Sequence, residues 1–465
     1  MQRWQLTFGL FGLAALAAMV VPQLGGSVKT KPILPTVDPV EPLVMGVQSA
    51  EQGVLTLEAG LDHPAVLAGR VEERLMVMTI SAPADPNAPP RPVNVAVVMD
   101  RSGSMGGKNK MSYARDAASA LLAELDENDR FSFVTFSDRA ELVVPSTPVY
   151  DRAGLTRTVR SVSEGGGTNL YDGLQIGLNE VREHASDGSV NRVIVLSDGI
   201  ANIGVTDPEA LAAAAARYSA DGVTVSTMGL GLDFNEDLLS SMSDRSGGTY
   251  RFVDDPASLS SFFHDELEQL STVAAGGVSL EVDLKGAQLV EVFGYTAEPT
   301  ADGFRVYMGD VYAGQSRKVV ARVRVPATSA GSEITVANVR LGELGKDVRY
   351  SPVAVNAKGT LDALVVEQTV NKPMAVAARS AESGALADKA ARAYAEGKKD
   401  ESIALARASS LVAGEAASRY GAAELQVQAD QINAQESNYK SFDNSSEEGR
   451  REVKKNKEVS REWSH

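Results

Sequence analysis

Val93-Asn94-Val95-Ala96-Val97-Val98-Met99-Asp100-Arg101-Ser102-Gly103-Ser104 carries an apolar run straight into a polar turn, and that junction decides the fold. Val93 to Met99 has the length and the β-branched content of a buried strand. At its end a carboxylate and two hydroxyls follow at alternate positions, in a turn that contains glycine. All three are hard oxygen donors. Such donors suit a small divalent cation such as Mg²⁺, which keeps part of its octahedral shell for water or a ligand. Ser-Gly turns are common, so the D-x-S-x-S spacing needs corroboration from the rest of the chain.

Two segments supply it. Gly165-Gly166-Gly167-Thr168-Asn169 offers a third hydroxyl just ahead of a helical pattern beginning at Leu170, and the apolar run Arg192 to Leu196 closes with Ser197-Asp198-Gly199. Around them helix and strand patterns alternate. Lys110 to Leu125 is helical, Phe131 to Phe136 strand-like, Leu170 to Val181 helical and Val223 to Leu230 strand-like. Asp207-Pro208, Asn235 and Asp255-Pro256 read as helix caps, and Tyr250 to Val253 as the last strand. The alternation predicts an α/β domain over residues 91–274, a doubly wound, mostly parallel, Rossmann-like sheet. Ligands of such sheets gather outside the carboxyl ends of the strands, so Asp100 and Asp198 share a crevice if their strands are neighbours.

These motifs, in this order, resemble the von Willebrand factor type A domain with its metal-ion-dependent adhesion site, in its bacterial envelope type. The resemblance implies that Asp100, Ser102, Ser104, Thr168 and Asp198 form a metal site, with Mg²⁺ as the ion and Mn²⁺ or Ca²⁺ as substitutes. It also implies an open coordination position that accepts an exposed Asp or Glu of a protein partner. Thr168 would join when the ligand engages, and the three glycines before it would let its loop shift. The donor chemistry agrees with binding: three of the donors are neutral hydroxyls and two carboxylates at most offset the ion, so an incoming carboxylate still meets an electrophile. The plainer alternative is that Ser102 and Ser104 cap a turn and Asp198 a helix. Asp172, which follows Tyr171 after the loop threonine, reads as a first-turn helix acid.

The flanks have other periods. Leu75-Val77-Thr79 and Met76-Met78-Ile80 alternate on one strand before a connector with Pro83, Pro86, Pro89, Pro90 and Pro92. After Ala275 two-fold alternation returns in Val278 to Leu284, Val319 to Val325 and Ile334 to Leu341, with a slip at Ala337-Asn338 that suggests a bulge. One or two strands in 46–90 cannot close a sheet pair alone. The expectation is therefore a discontinuous antiparallel β-sandwich, residues 46–90 and 275–365, with the α/β domain inserted in it. Residues 366–435 read as a helical hairpin region (Ala387 to Ala395, a turn at Glu396 to Asp400, Ser402 to Leu411), and 436–465 as a mobile charged tail.

Residues 1–25 contain an uncharged stretch, Leu6 to Val21, that reads as a signal peptide or membrane anchor, with a proline-rich linker over 26–45. The expected location is exported: periplasmic, membrane-anchored or extracellular. A net charge of −16 argues against nucleic acid, and the absence of cysteine removes disulfides, thiolate metal sites and thiol nucleophiles. Enzyme signatures are missing as well. His63, His184, His264 and His465 form no H-E-x-x-H, Ser104 lies outside G-x-S-x-G, and the glycine loop lacks a phosphate-binding lysine. The sequence thus predicts a non-enzymatic, Mg²⁺-dependent protein-binding module for adhesion or assembly at the cell envelope. Its competitors are a cytoplasmic accessory subunit of a metal-inserting or ATP-driven complex, and a structural envelope protein with a stabilising metal.

Overall fold

A computed structural model describes residues 47–84, 91–185, 188–343 and 350–464. The apolar stretch Leu6 to Val21 lies outside them; among the described residues no helix is long and apolar enough to cross a membrane. The described residues begin with β1 (Gln48–Gln52), β2 (Leu55–Leu61), β3 (Ala65–Leu67) and β4 (Glu72–Ser81). The α/β part follows: β5 (Val93–Asp100), α1 (Lys110–Glu124), β6 (Arg130–Phe136), β7 (Ala140–Pro148), α2 (Arg152–Arg160) and α3 (Leu170–Glu183). It continues with β8 (Val190–Ser197), α4 (Pro208–Ala216), β9 (Val223–Leu230), α5 (Glu236–Ser246), β10 (Tyr250–Val253) and α6 (Leu259–Ser271).

Its sheet has the order β10-β9-β8-β5-β6-β7. All pairs are parallel except β6–β7, where the edge strand runs back. That edge strand and α2 left no clear mark in the sequence pattern. Every residue of β5 and β8 is buried, because helices cover both faces of the sheet. Val95, Val97 and Met99 pack with α1 and α6 residues such as Leu121 and Phe263, while Ala96 and Val98 pack with α3 and α5 residues such as Leu174 and Met242. A continuous apolar run is what two covered faces require.

The chain then forms β11 (Val273–Leu284), β12 (Gln288–Phe293), β13 (Ala297–Pro299), β14 (Gly303–Tyr312), β15 (Ser316–Val325), β16 (Glu333–Glu343) and β17 (Val353–Thr360). Two more sheets result, ordered β1-β2-β4-β15-β12 and β13-β14-β11-β16-β17-β3. The residues before the α/β part supply β1 to β4, more than the one or two strands expected. β4 pairs antiparallel with β15 from Glu72↔Val325 to Ser81↔Ser316. β3 joins β17 in parallel, a departure from the antiparallel expectation. Apolar residues of both sheets meet in one core, among them Leu57, Met76, Met78, Val319 and Val323 from the first and Val278, Leu280, Val282 and Val339 from the second. A register shift between Thr335 and Ala337 in the β16–β17 pair sits beside the slip in the sequence.

Helices end the chain: α7 (Ala363–Gln368), α8 (Lys372–Ala395), α9 (Lys399–Tyr420), α10 (Ala423–Ser441) and α11 (Glu447–Ser464). The hairpin turn falls where the sequence put it, between α8 and α9. Residues 436–464 do not form the expected mobile tail: they complete α10 and build α11, with Val453, Lys454 and Lys457 buried. The reason is charge partnership that composition cannot reveal. α11 lays its basic residues on an acidic ridge of the α/β part, pairing Arg450 with Asp233, Arg451 with Asp254, and Lys457 with Asp237 at 2.7, 2.8 and 2.8 Å. On its other side Gly384 of α8 leaves room for α11; a Cβ there would lie 2.9 Å from Ser460 O and Trp463 Cβ.

A second tie lies inside the molecule. Arg192 of β8, fully buried, pairs with Glu266 of α6 at 2.9 Å and Asp310 of β14 at 2.8 Å, and donates to the Tyr312 hydroxyl at 3.2 Å. It fastens the α/β sheet to the neighbouring β14.

Glu236, at the first turn of α5, receives both Lys454 (2.8 Å) and Lys457 (3.2 Å). Burial opposes its charge, but the two ammoniums outweigh that and hold its pKa at about 2 against an ordinary 4.5. The folded pKa is depressed, so this contribution to stability is complete above about pH 4.5 and fades as pH falls towards 2. Glu236→Gln should therefore cost roughly 3 kcal/mol near pH 7, because it leaves the buried Lys454 ammonium without a carboxylate and Lys457 with Asp237 alone. Thermal denaturation from pH 7 to pH 3 checks this: the variant should lose less stability on acidification than the parent.

Candidate functional site

The pairing of β5 with β8, in register from Val93↔Val190 to Met99↔Leu196, brings Asp100 and the Ser197-Asp198 pair to one sheet edge. Asp100 and Asp198 are fully buried, Ser102 and Thr168 nearly so, and Ser104 is exposed. Asp100 accepts the Ser102 backbone N–H at 2.8 Å on Oδ1 and the Ser197 hydroxyl at 2.7 Å on Oδ2. The Ser102 and Ser104 hydroxyls are 3.0 Å apart, and Ser104 donates to Asp198 Oδ1 at 2.6 Å. Lys110 Nζ donates to Asp198 Oδ2 at 2.6 Å.

Thr168 arrives on a loop tied from several sides. Gly165 N–H donates to Arg101 O at 2.7 Å, Gly103 N–H to Gly166 O at 3.0 Å, and Gly167 N–H to Asp138 Oδ1 at 2.7 Å. The loop needs glycine: Gly166 has φ +90, and a Cβ there would meet Asp138 Oδ2 at 2.9 Å. Thr168 N–H donates to Asn202 Oδ1 at 2.9 Å, and its carbonyl accepts from the N–H groups of Asn202 and Ile203. The segment after β8 is thereby clasped to the glycine loop. At the meeting point a Cβ on Gly199 would lie 3.6 Å from Thr168 Oγ1 and 3.7 Å from Ser104 Oγ. The structure thus gathers all five residues singled out by sequence. Asp172 instead accepts from Asn169 Nδ2 at 2.7 Å, as a helix-start acid.

Burial raises the Asp100 pKa to about 6, with Asp198 beside it adding to the effect against the lowering by Ser102 and Ser197. Among the described residues no basic side chain pairs with this carboxylate. A buried anion satisfied only by neutral donors calls for a cation. The donors facing it, two carboxylates and three hydroxyls, are hard oxygens suited to Mg²⁺, Mn²⁺ or Ca²⁺ and poorly suited to a soft metal. Among the described residues no group of three or more His, Cys, Asp or Glu side chains is placed to hold a metal, so hydroxyls must complete any shell here. A cavity of about 720 Å³ between α5, β13–β14 and α11 contains none of the five residues.

Sequence reading missed Ser197 and Lys110. Lys110 carried one signal: a cation at the start of a helix opposes the helix dipole, so its place needs another cause. The turn before it holds Lys108 and Asn109 at φ 51 and 58, an uncommon conformation for two successive non-glycine residues. On the rim, Ile200 is 61% exposed although it follows Asp198 by only two positions.

A family model for the von Willebrand factor type A domain matches residues 94–265. Residues 94–265 are a von Willebrand factor type A domain. The chain is 25% identical over 199 residues to the uncharacterized protein YfbK of Escherichia coli, covering 43% of this chain and 35% of that protein. It is 28% identical over 213 residues to the uncharacterized protein sll0103 of Synechocystis, covering 46% and 50%. Human inter-alpha-trypsin inhibitor heavy chain H3 is 30% identical over 200 residues, covering 41% and 22%. The chain therefore spans half or less of the length of these curated relatives. In structure it is similar to a von Willebrand factor type A protein from Catenulispora acidiphila, with TM-score 0.65 and 20% identity over 82% of this chain and 90% of that one. The ArnB paralog VWA2 from Sulfolobus acidocaldarius gives TM-score 0.58 and 18% identity over 89% and 99%. Both likenesses extend beyond the family-matched residues and concern the fold.

With chelator present, Asp100→Asn should stabilise the chain by about 1–3 kcal/mol at pH 7, since it removes an uncompensated buried charge. The same substitution should abolish any rise in melting temperature on adding MgCl₂. Melting curves of both proteins in EDTA and in MgCl₂ check the two signs together.

Proposed function

We propose that this protein is a non-enzymatic, Mg²⁺-dependent protein-binding module of the cell envelope, which captures an exposed Asp or Glu of a partner for adhesion or assembly. The observation that carries this reading is the convergence of Asp100, Ser102, Ser104, Thr168 and Asp198 around a buried carboxylate without a basic partner. Asp100, Ser102, Ser104 and Thr168 would hold the cation, with Asp198 orienting Ser104. A bound Mg²⁺ supplies an electrophilic position at the open side, where Ser104 is exposed. The three hydroxyls among these residues have no histidine or lysine base hydrogen-bonded to them, which favours recognition over turnover. Interaction through a von Willebrand factor type A domain is the general behaviour that this reading makes specific.

In this reading the α/β domain is an insertion within a discontinuous β-sandwich formed by β1–β4 and β11–β17. The continuity of β4 with β15 and the Arg192 network support it: both ends of the domain are fixed to one body, which suits presenting a binding face outward. Export is supported by the uncharged stretch Leu6 to Val21.

Partner capture should vanish in EDTA, return with MgCl₂, and be lost in Asp100→Ala while circular dichroism stays unchanged. Capture from an envelope extract, compared with and without divalent cation, makes the measurement; binding that survives in the chelator would defeat the proposal. For location, an alkaline phosphatase fusion after residue 30 should be active outside the cytoplasm, and an inactive fusion would favour a cytoplasmic accessory subunit.

A further inference from the structure

We propose that Lys110 is a built-in counter-ion of the candidate metal site, neutralising Asp198 so that the crevice binds a divalent cation weakly and leaves it strongly attractive to an anionic partner group. The inference rests on the metal-dependent reading above and extends it to a residue outside the D-x-S-x-S, threonine and aspartate set.

The two carboxylates of the site are compensated differently. Asp198 has both oxygens engaged, Oδ1 by the Ser104 hydroxyl and Oδ2 by Lys110 Nζ, each at 2.6 Å. Asp100 receives only neutral donors, Ser102 N–H and the Ser197 hydroxyl. Lys110 is 8% exposed, so its ammonium is committed to the crevice rather than to solvent. Nothing local recommends that placement. It sits at the first position of α1, where the helix dipole disfavours a cation, and it follows two successive left-handed residues with no side-chain cap on the helix start. The compensating interaction is with Asp198 alone among the ion pairs of the described residues.

Charge bookkeeping gives the consequence. Two carboxylates and one ammonium leave the crevice with a single net negative charge. A bound Mg²⁺ then has a single net positive charge around it, whereas without the ammonium the centre would be neutral. Lys110 therefore repels the metal and attracts the partner's carboxylate. In this account Lys110 is a tuning residue that acts through its charge on Asp198; it does not ligate the metal.

Lys110→Met keeps the length of the side chain and removes the charge. Titration of the full chain with MgCl₂, followed by calorimetry, should show the variant binding Mg²⁺ more tightly by about ten-fold or more, while Lys110→Arg stays near the parent. A purely structural ion pair predicts the opposite sign for Lys110→Met, because a released Asp198 would disorder Ser104 and weaken the metal. Equal or weaker binding by Lys110→Met would overturn the inference. In EDTA this variant should melt at a lower temperature than the parent, and MgCl₂ should raise its melting point by more. If it folds only with Mg²⁺, the same comparison is read from the Mg²⁺ dependence of its melting temperature. Absence of Mg²⁺ binding by the parent chain itself would instead remove the underlying reading, so the two failures are distinguishable.

Discussion

The parallel pairing of β5 with β8 is the constraint on which the site depends. Parallel neighbours end at the same edge, so Asp100 and the Ser197-Asp198 pair emerge together without any long-range adjustment. Both strands are buried on both faces, which fixes their register and leaves the carboxylates little freedom to separate. The glycine loop then closes over the edge through hydrogen bonds to Arg101, Gly103 and Asp138. A site built from strand ends and short clasped loops keeps its oxygens pointed inward before any ligand arrives. Most of the cost of ordering it is met by the sheet.

Away from that edge, buried ion pairs tie the domain to the rest of the chain, beside apolar contacts that bring Val273 and Tyr312 into its core. Arg192 lies near the start of β8, five residues before Ser197 at its other end, and pairs with Glu266 of α6 and Asp310 of β14. α11 adds a basic strap along Asp233, Glu236, Asp237 and Asp254. Lys454 also donates to Phe234 O at 3.1 Å and lies 3.7 Å from the centre of the Phe234 ring. Phe234 belongs to the segment after β9, and Gly231 of that segment flanks the Lys110 ammonium. The C-terminal helix and Lys110 thus border the same short loop. Buried ion pairs are weak evidence of net stability; here they tie named residues of the domain to β14 and to α11.

A strongly acidic chain that buries several of its lysines and arginines has distributed its charge with consequence. The basic side chains of α11 neutralise an acidic ridge, and Lys110 neutralises one of two site carboxylates. Asp100 is left as the conspicuous exception. Burial of an anion without a cation destabilises the fold, and such a cost persists in a site where binding uses it. The same carboxylate is therefore a liability in the free protein, one that the proposed divalent ion would relieve.

Local chemistry made much of this legible from the residues alone. The apolar runs of β5, β8 and β9, the Asp-Pro and Asn caps, and the D-x-S-x-S turn each announce themselves within a few positions. The order of strands and helices then implies a parallel sheet with its ligands at the carboxyl edge, which brings Asp100 and Asp198 to one crevice; the set of Asp100, Ser102, Ser104, Thr168 and Asp198 comes from the resemblance to the von Willebrand factor type A domain. What sequence could not supply were partnerships across long separations. Lys110 meets Asp198 from 88 positions away, Arg192 meets Asp310 from 118, and Lys454 meets Glu236 from 218. α11 illustrates the reason: its mixed charge reads as a solvated tail until the acidic ridge is seen opposite it. Hydrophobic period and turn chemistry are properties of neighbours in the chain, and sequence determines them; charge compensation is a property of neighbours in space, and only the tertiary structure decides it.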